Sequence, residues 1–300
     1  DSAEQRAGRA GRTGPGVCFR LWDRAARLEE NTPPEIHREA LTPLVLAAAS
    51  CGASPEELSF LDEPKEYALA SAREELTALG ALEPESWTIT ERGRQLFGLP
   101  VDPALGRFII EAKRTGCLAE ALDLVATLTV GRPIFRKSLN PDAEIDEDPR
   151  ASGCDVTARI EVIRRRGRQS MSSKIIDPHV LNEARGVSRR LRSAFGIPTK
   201  DSAPLKLADR QKLAETALAA DPRCAHVARP RRGRIYWSNG GTELELARES
   251  ALNGSIEETP AIALFESRAL NKGRTKNQIL GTCAMPLRLE WLVETGLGHD

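Results

Sequence analysis

Apolar and polar positions alternate near the start of the chain, where Val17, Phe19 and Leu21 follow the turn Gly14-Pro15-Gly16, and this predicts a short strand. The period then lengthens. After Thr32-Pro33-Pro34-Glu35, the residues Ile36, Leu41, Leu44, Val45 and Ala48 recur at helical spacing until Gly52. Ser54-Pro55-Glu56-Glu57 has the form of a capping box with Pro at the first helical position, which predicts a second helix. Ala68, Leu69, Ala72, Leu76 and Leu79 carry a third, up to Gly80. Ala81-Leu82, the turn Pro84-Glu85-Ser86 and Trp87-Thr88-Ile89-Thr90 then form a two-stranded ribbon, with Trp87 expected to pack as core.

Three helices closed by a hairpin predict a winged helix over residues 31–100. Asp102-Pro103 restarts helix with Leu105, Phe108 and Ile109 on one face, and a second run carries Leu118, Ala121, Leu122, Val125 and Leu128. Residues 140–150 hold Pro141, Pro149 and five acidic side chains, the composition of a solvated acidic linker. Helices follow around Val156–Ile163, Val180–Phe195 and Leu205–Ala219, so 101–220 is expected to be a helical bundle. From about Asp221 the period becomes two, through Ile235-Tyr236-Trp237, the turn Asn239-Gly240-Gly241, Leu244, Leu246, Ile262–Phe265 and Ile279-Leu280. Short strands at this spacing suggest a small β-barrel over 221–300, expected to remain incomplete.

Composition narrows the function classes. Lys plus Arg and Asp plus Glu both number 43, so no net field draws the whole chain to polyanions. The charge is unevenly placed, with 11 basic against 3 acidic residues between Arg159 and Lys200. The six cysteines are far apart, without a C-x-x-C pair or a His at ligand spacing, so neither zinc nor a disulfide framework is expected. With no apolar run near the roughly 18 to 20 residues that span a bilayer and no signal-peptide pattern, a cytoplasmic protein without a membrane partner is expected. Because the chain opens at Asp1 on a Gly/Arg-rich loop and stops at Asp300 without a closing signal, truncation at both ends is expected.

That opening loop carries the chemistry. Gln5-Arg6-Ala7-Gly8-Arg9-Ala10-Gly11-Arg12 places three guanidinium groups and one amide within eight residues, with glycines where the backbone must bend and nothing bulky beside them. This suits a polyphosphate, because arginine stays charged and bonds oxygens in pairs. The run Gln5–Gly16 with Cys18-Phe19-Arg20-Leu21 resembles motif VI of DEAH-box helicases, at the end of their second RecA-like domain. Thr32–Leu46, Leu76–Leu82, Thr90–Gly93 and Leu99–Pro103 resemble, in order, the winged helix and ratchet helices of that family. Gly153-Cys154-Asp155-Val156 and Ser238-Asn239-Gly240-Gly241 point to its bacterial HrpB-type branch, with a helical bundle and an OB-like fold.

The resemblance implies a multidomain, mainly α chain with small β parts: the end of a RecA-like domain at 1–30, then winged helix, ratchet bundle and OB-like barrel. It implies an ATP-dependent helicase as the intact parent. Arg9 and Arg12 would be arginine fingers on the γ-phosphate, Gln5 would position the attacking water, and Gln5, Gly8, Arg9 and Arg12 would contact nucleotide; Arg6 matches without a defined role. No G-x-x-x-x-G-K-[ST] and no D-E-A-H occurs in the sequence, so ATP and Mg²⁺ would be held by the missing RecA-like parts, and this chain alone would bind neither.

Two further basic segments are candidate phosphate contacts. Arg185, Arg189 and Arg192 share a face by i, i+4, i+7 spacing, opposite Val180, Ala184, Val187, Leu191 and Phe195. Arg231, Arg232 and Arg234 lead into Tyr236-Trp237, combining charge with stacking surface. The implied partner is single-stranded nucleic acid, RNA ahead of DNA. The alternative is a non-enzymatic winged-helix binding module or regulator whose arginine loop is a simple phosphate-binding arm. His37, His179, His226 and His299 are scattered and suggest no catalytic or metal role.

Overall fold

A computed structural model describes residues 2–23, 33–136, 149–165, 175–199, 205–252, 259–271 and 277–294. The expected acidic linker falls almost wholly outside the described residues. The chain divides into two compact units, 1–97 and 98–300.

In the first unit, α1 (Ser2–Ala7) is followed by turns and extended chain. The strand expected at Val17–Leu21 is not formed. Those apolar side chains are 76, 82 and 94% exposed, and without a neighbouring strand among the described residues the alternation has no ladder to join. The first expected helix is split into a 3₁₀ turn at Glu35–His37 and α2 (Thr42–Ser50), which starts with Pro43 in its first turn. The second is a single 3₁₀ turn, Pro55–Glu57. Its capping contact is present, Ser54 N–H donating to Glu57 Oε2 at 2.7 Å, but Leu58 is already extended and the helix cannot propagate.

α3 (Glu66–Ala78) and α4 (Glu91–Phe97) pack with α2 around Val45, Leu76, Leu79, Leu82 and Leu96. Between them the ribbon is reduced to one antiparallel bridge, Leu82–Ile89. Thr90 joins ribbon to helix: its Oγ1 donates to the Gly80 carbonyl at 2.7 Å and accepts from Gly93 N–H at 2.9 Å. A Cβ on Gly93 would lie 2.2 Å from the Ala81 carbonyl oxygen, so helix and ribbon can meet this closely only with glycine there. The ribbon's core residue is Ile89, not Trp87. Trp87 is half-buried, with the Arg73 guanidinium 5.3 Å above its ring.

The second unit begins with α5 (Pro103–Thr115), capped by Asp102 accepting from Ala104 N–H at 2.9 Å and stopped by Gly116 at φ 76°. α6 (Leu118–Thr129), α7 (Asp155–Arg164), α8 (Pro178–Ala194) and α9 (Leu207–Ala220) complete the helical part. Asp177 caps α8 through the N–H groups of His179 and Val180. Five strands follow: β1 (Ala225–Arg231), β2 (Arg234–Ser238), β3 (Glu243–Leu246), β4 (Ala261–Asn271) and β5 (Asn277–Leu287), then α10 (Leu289–Glu294).

The barrel is closed, not incomplete, in the order β1-β2-β3-β5-β4. Closure comes from the parallel pairing of β3 with β5 and the antiparallel pairing of β1 with β4. Helices and barrel share one continuous core, in which Phe108 of α5 meets Phe265 of β4 edge-to-face at 5.3 Å. α7 fastens the two parts. Asp155 accepts from Ser250 Oγ, Ala251 N–H and Ala284 N–H, and Arg159 Nη2 donates to Glu266 Oε2 at 2.6 Å and the Thr282 carbonyl at 3.2 Å. Burial holds the Asp155 carboxyl above the usual carboxylate range in spite of these three bonds.

His226 of β1 is 3% exposed beside its cross-strand partner Ile262, a barrel-core residue. Its Nδ1 bonds the Cys224 carbonyl at 2.9 Å, which fixes the proton there and leaves Nε2 buried without a donor among the described residues. Burial lowers its pKa below the ordinary 6.5. An unfolded chain therefore takes up this proton before the folded one, and the contribution present above about pH 6.5 is lost as pH falls through the interval below it, by up to about 1.4 kcal/mol per unit. Denaturant midpoints at pH 7.5 and 5.5 should fall more for the parent than for His226→Leu; equal falls would contradict this account of His226.

Candidate nucleotide and nucleic-acid surfaces

The glycine-arginine loop is built from the end of α1 outward. Gln5 and Arg6 lie in the last turn of the helix, which then loosens through Gly8 N–H to Glu4 carbonyl (2.8 Å), Arg9 N–H to Arg6 carbonyl (3.2 Å) and Ala10 N–H to Ala7 carbonyl (3.0 Å). Gln5, Gly8, Arg9 and Arg12 are all exposed, and among the described residues neither Arg9 nor Arg12 forms an ion pair. The loop folds back on itself at Gly16, where a Cβ would stand 1.7 Å from the Ala10 carbonyl oxygen. Two guanidinium groups are thus presented on a tightly folded loop with their charge unspent. That is the arrangement a phosphate approached from outside its main binding site would require.

The basic face expected on α8 is only partly a surface. Arg192 is 2% exposed and grips Asp123 of α6 with both ends of its fork, Nε to Oδ1 at 2.8 Å and Nη2 to Oδ2 at 2.5 Å. It also donates to the carbonyls of Pro198 and Ala119. Arg185 closes the C-terminal end of α7, donating to the carbonyls of Val162, Ile163 and Arg165. Both guanidinium groups serve internal acceptors, so Arg185 and Arg192 leave the set of phosphate contacts. Arg189 remains exposed.

Sequence reasoning missed the group at the centre of this arrangement. Asp123, 1% exposed, accepts four hydrogen bonds: from Arg192 twice, from Arg164 Nε at 2.8 Å and from Ser188 Oγ at 2.8 Å. Arg164 is held further by Glu120 at 2.9 Å. A signal was present, since a carboxylate set between Leu122 and Leu124-Val125 can be buried only if a cation comes to meet it.

The third basic segment is a hairpin tip. β1 and β2 are joined by Arg232 and Gly233 at φ 50° and 74°, the two-residue turn that fits strand twist when both central residues take positive φ. Arg231, Arg232 and Arg234 are exposed on it, Arg231 pairing with Glu243 at 3.0 Å and Arg234 facing Glu245 at 3.8 Å. Trp237 is buried in the barrel, so it offers no stacking face. His37 Nε2 lies 2.8 Å from the Glu63 carbonyl, and His299 lies outside the described residues. Among the described residues no group of three His, Cys, Asp or Glu is placed to hold a metal ion, and no helix is long and apolar enough to cross a membrane.

Residues 102–175 match the family described as helicase associated domain (HA2), ratchet-like; the span takes in α5, α6 and α7. The fold over 98% of the chain is similar to that in the crystal structure of the E. coli DExH-box NTPase HrpB, at 22% identity and a TM-score of 0.63. The chain spans 30% of the length of that protein. Residues 102–175 are thus similar to a ratchet-like helicase-associated domain, and the chain as a whole shares its fold with a part of that NTPase.

Proposed function

We propose that this chain is the C-terminal part of an ATP-dependent helicase acting on single-stranded nucleic acid, RNA ahead of DNA, in which it supplies the arginine fingers and the accessory binding domains. The observation that carries the reading is the exposed loop at the end of α1, with Gln5, Arg9 and Arg12 presented together and both guanidinium groups unpaired among the described residues. Arg9 and Arg12 meet the γ-phosphate of ATP from outside, Gly8 lets the backbone approach it, and Gln5 orients the attacking water. Bound ATP with its Mg²⁺ supplies the phosphoryl chemistry, and the residues that cradle it belong to RecA-like parts outside this sequence. Residues 31–100 are read as a winged helix, 101–220 as the ratchet bundle and 221–300 as an OB-like barrel. Arg189, Arg231, Arg232 and Arg234 contact phosphates.

Backbone contact of this kind releases counterions, so affinity should fall as salt rises, with a logarithmic slope of roughly −0.7 per neutralised phosphate on a single strand. A labelled oligonucleotide titrated with the chain at low and physiological ionic strength tests it. Salt-independent binding, or none at low salt, would sink the nucleic-acid half of the reading.

A further inference from the structure

The loop that carries Arg9 and Arg12 contains four glycines, Gly8, Gly11, Gly14 and Gly16, and they are not equivalent. A Cβ on Gly11 or Gly14 would meet nothing within 4 Å, and one on Gly8 would come no nearer than 3.5 Å to the Glu4 carbonyl oxygen, an ordinary contact. Gly16 differs. A Cβ there would fall 1.7 Å from the Ala10 carbonyl oxygen and 2.4 Å from its carbon, while the φ of Gly16 lies outside the left-handed region. Space, and not backbone conformation, keeps a side chain out of this position.

The atoms it meets are main chain and cannot swing aside as the end of a flexible side chain would. Ala10 is itself held, its N–H donating to the Ala7 carbonyl of α1 at 3.0 Å. A methyl group at position 16 would therefore force the two limbs apart by more than an ångström before an ordinary contact is reached. Ala10 and Gly16 form the neck of the loop. Arg9 lies before the neck, tied to α1 by its N–H donating to the Arg6 carbonyl at 3.2 Å, and Arg12 lies inside it. Opening the neck moves Arg12 relative to Arg9. We propose that Gly16 is a positioning residue for Arg12: by lacking a side chain it closes the neck and sets the spacing of the two guanidinium groups that meet one γ-phosphate. The inference rests on the finger reading above and adds to it a residue that acts through another. A misplacement of about 1 Å can cost roughly a hundredfold in rate, and the loss belongs in turnover because the fingers act on the transition state.

The test uses the full-length protein, with the preceding segment present, and measures nucleic-acid-stimulated turnover beside nucleotide affinity. The variants are Gly14→Ala, Gly16→Ala, Arg12→Ala and the double variant Arg12→Ala with Gly16→Ala. Gly16→Ala should lower kcat by about a hundredfold and leave nucleotide affinity within about threefold of the parent. Gly14→Ala, which enters open space, should stay within about threefold of the parent on both. With Arg12 already gone, adding Gly16→Ala should cost less than about threefold, because the group it positions is no longer there. Near-normal turnover in Gly16→Ala beside collapsed turnover in Arg12→Ala would overturn the positioning role and leave the fingers in place. So would a loss in Gly16→Ala that Gly14→Ala shares, that extends to nucleotide affinity, or that multiplies in full with Arg12→Ala, since each is what a general loss of structure produces. Near-normal turnover in Arg12→Ala would overturn the finger reading itself, and the positioning role with it.

Discussion

Replacing Asp123 with alanine is expected to cost the second unit about 3 to 5 kcal/mol, a large share of the stability of an ordinary domain. The carboxylate is buried and its two oxygens accept four hydrogen bonds, which join α6 to Arg164 of α7 and to Ser188 and Arg192 of α8. Removing it leaves two guanidinium groups inside the fold. Arg164 retains Glu120 and Arg192 retains the carbonyls of Pro198 and Ala119, but both lose the carboxylate that lay between them. Neither can escape by losing its proton, since arginine stays charged at any ordinary pH. Arg189→Ala, on the exposed face of the same helix, should shift stability by less than about 0.5 kcal/mol. Urea midpoints of the two variants test the contrast, and a loss below about 1 kcal/mol for Asp123→Ala would show that the network contributes little. In a double-mutant cycle, Asp123→Ala and Arg192→Met should be strongly non-additive, because each removes the partner that makes the other costly to bury.

The same network explains what could and could not be read from the residues alone. α5, α6, α8 and α9 were legible because caps such as Asp102 and Asp177, stops such as Gly116 and apolar periodicity all act over a few residues. Arg192 was misread for the opposite reason. It lies on the border of the α8 stripe, beside the buried Ser188 and Leu191, and what draws it inward is a carboxylate 69 positions away on another helix. Arg185 likewise answers to the end of α7. Spacing along one helix says which side chains share a face; it does not say what that face meets. Closure of the barrel was hidden in the same way, because β3 and β5 pair through Glu245 and Leu280 across a long connection with no local turn to announce it. The motif of the first loop was legible as a sequence, and the structure adds its exposure and the close approach at Gly16.

The central claim concerns Arg9 and Arg12. If they meet the γ-phosphate as its charge redistributes, they act on the transition state more than on bound ATP, and their loss belongs in kcat. An arginine in this role is worth about 10³ to 10⁵ in rate. In the full-length protein, with the preceding segment restored, Arg9→Ala and Arg12→Ala should each lower nucleic-acid-stimulated turnover by about a thousandfold or more while nucleotide affinity changes only several-fold. Lysine should rescue poorly at either position, since a compact ammonium cannot reproduce a forked, paired contact, and nucleic-acid affinity without nucleotide should barely move. Arg6→Ala is the internal comparison, placed in α1 one turn before the loop. The deciding measurement is ATP turnover beside nucleotide affinity for these three alanine variants and their parent. Collapsed turnover with retained affinity in Arg9→Ala and Arg12→Ala is the predicted result; near-normal turnover in both would contradict the account and return the loop to the status of a basic arm.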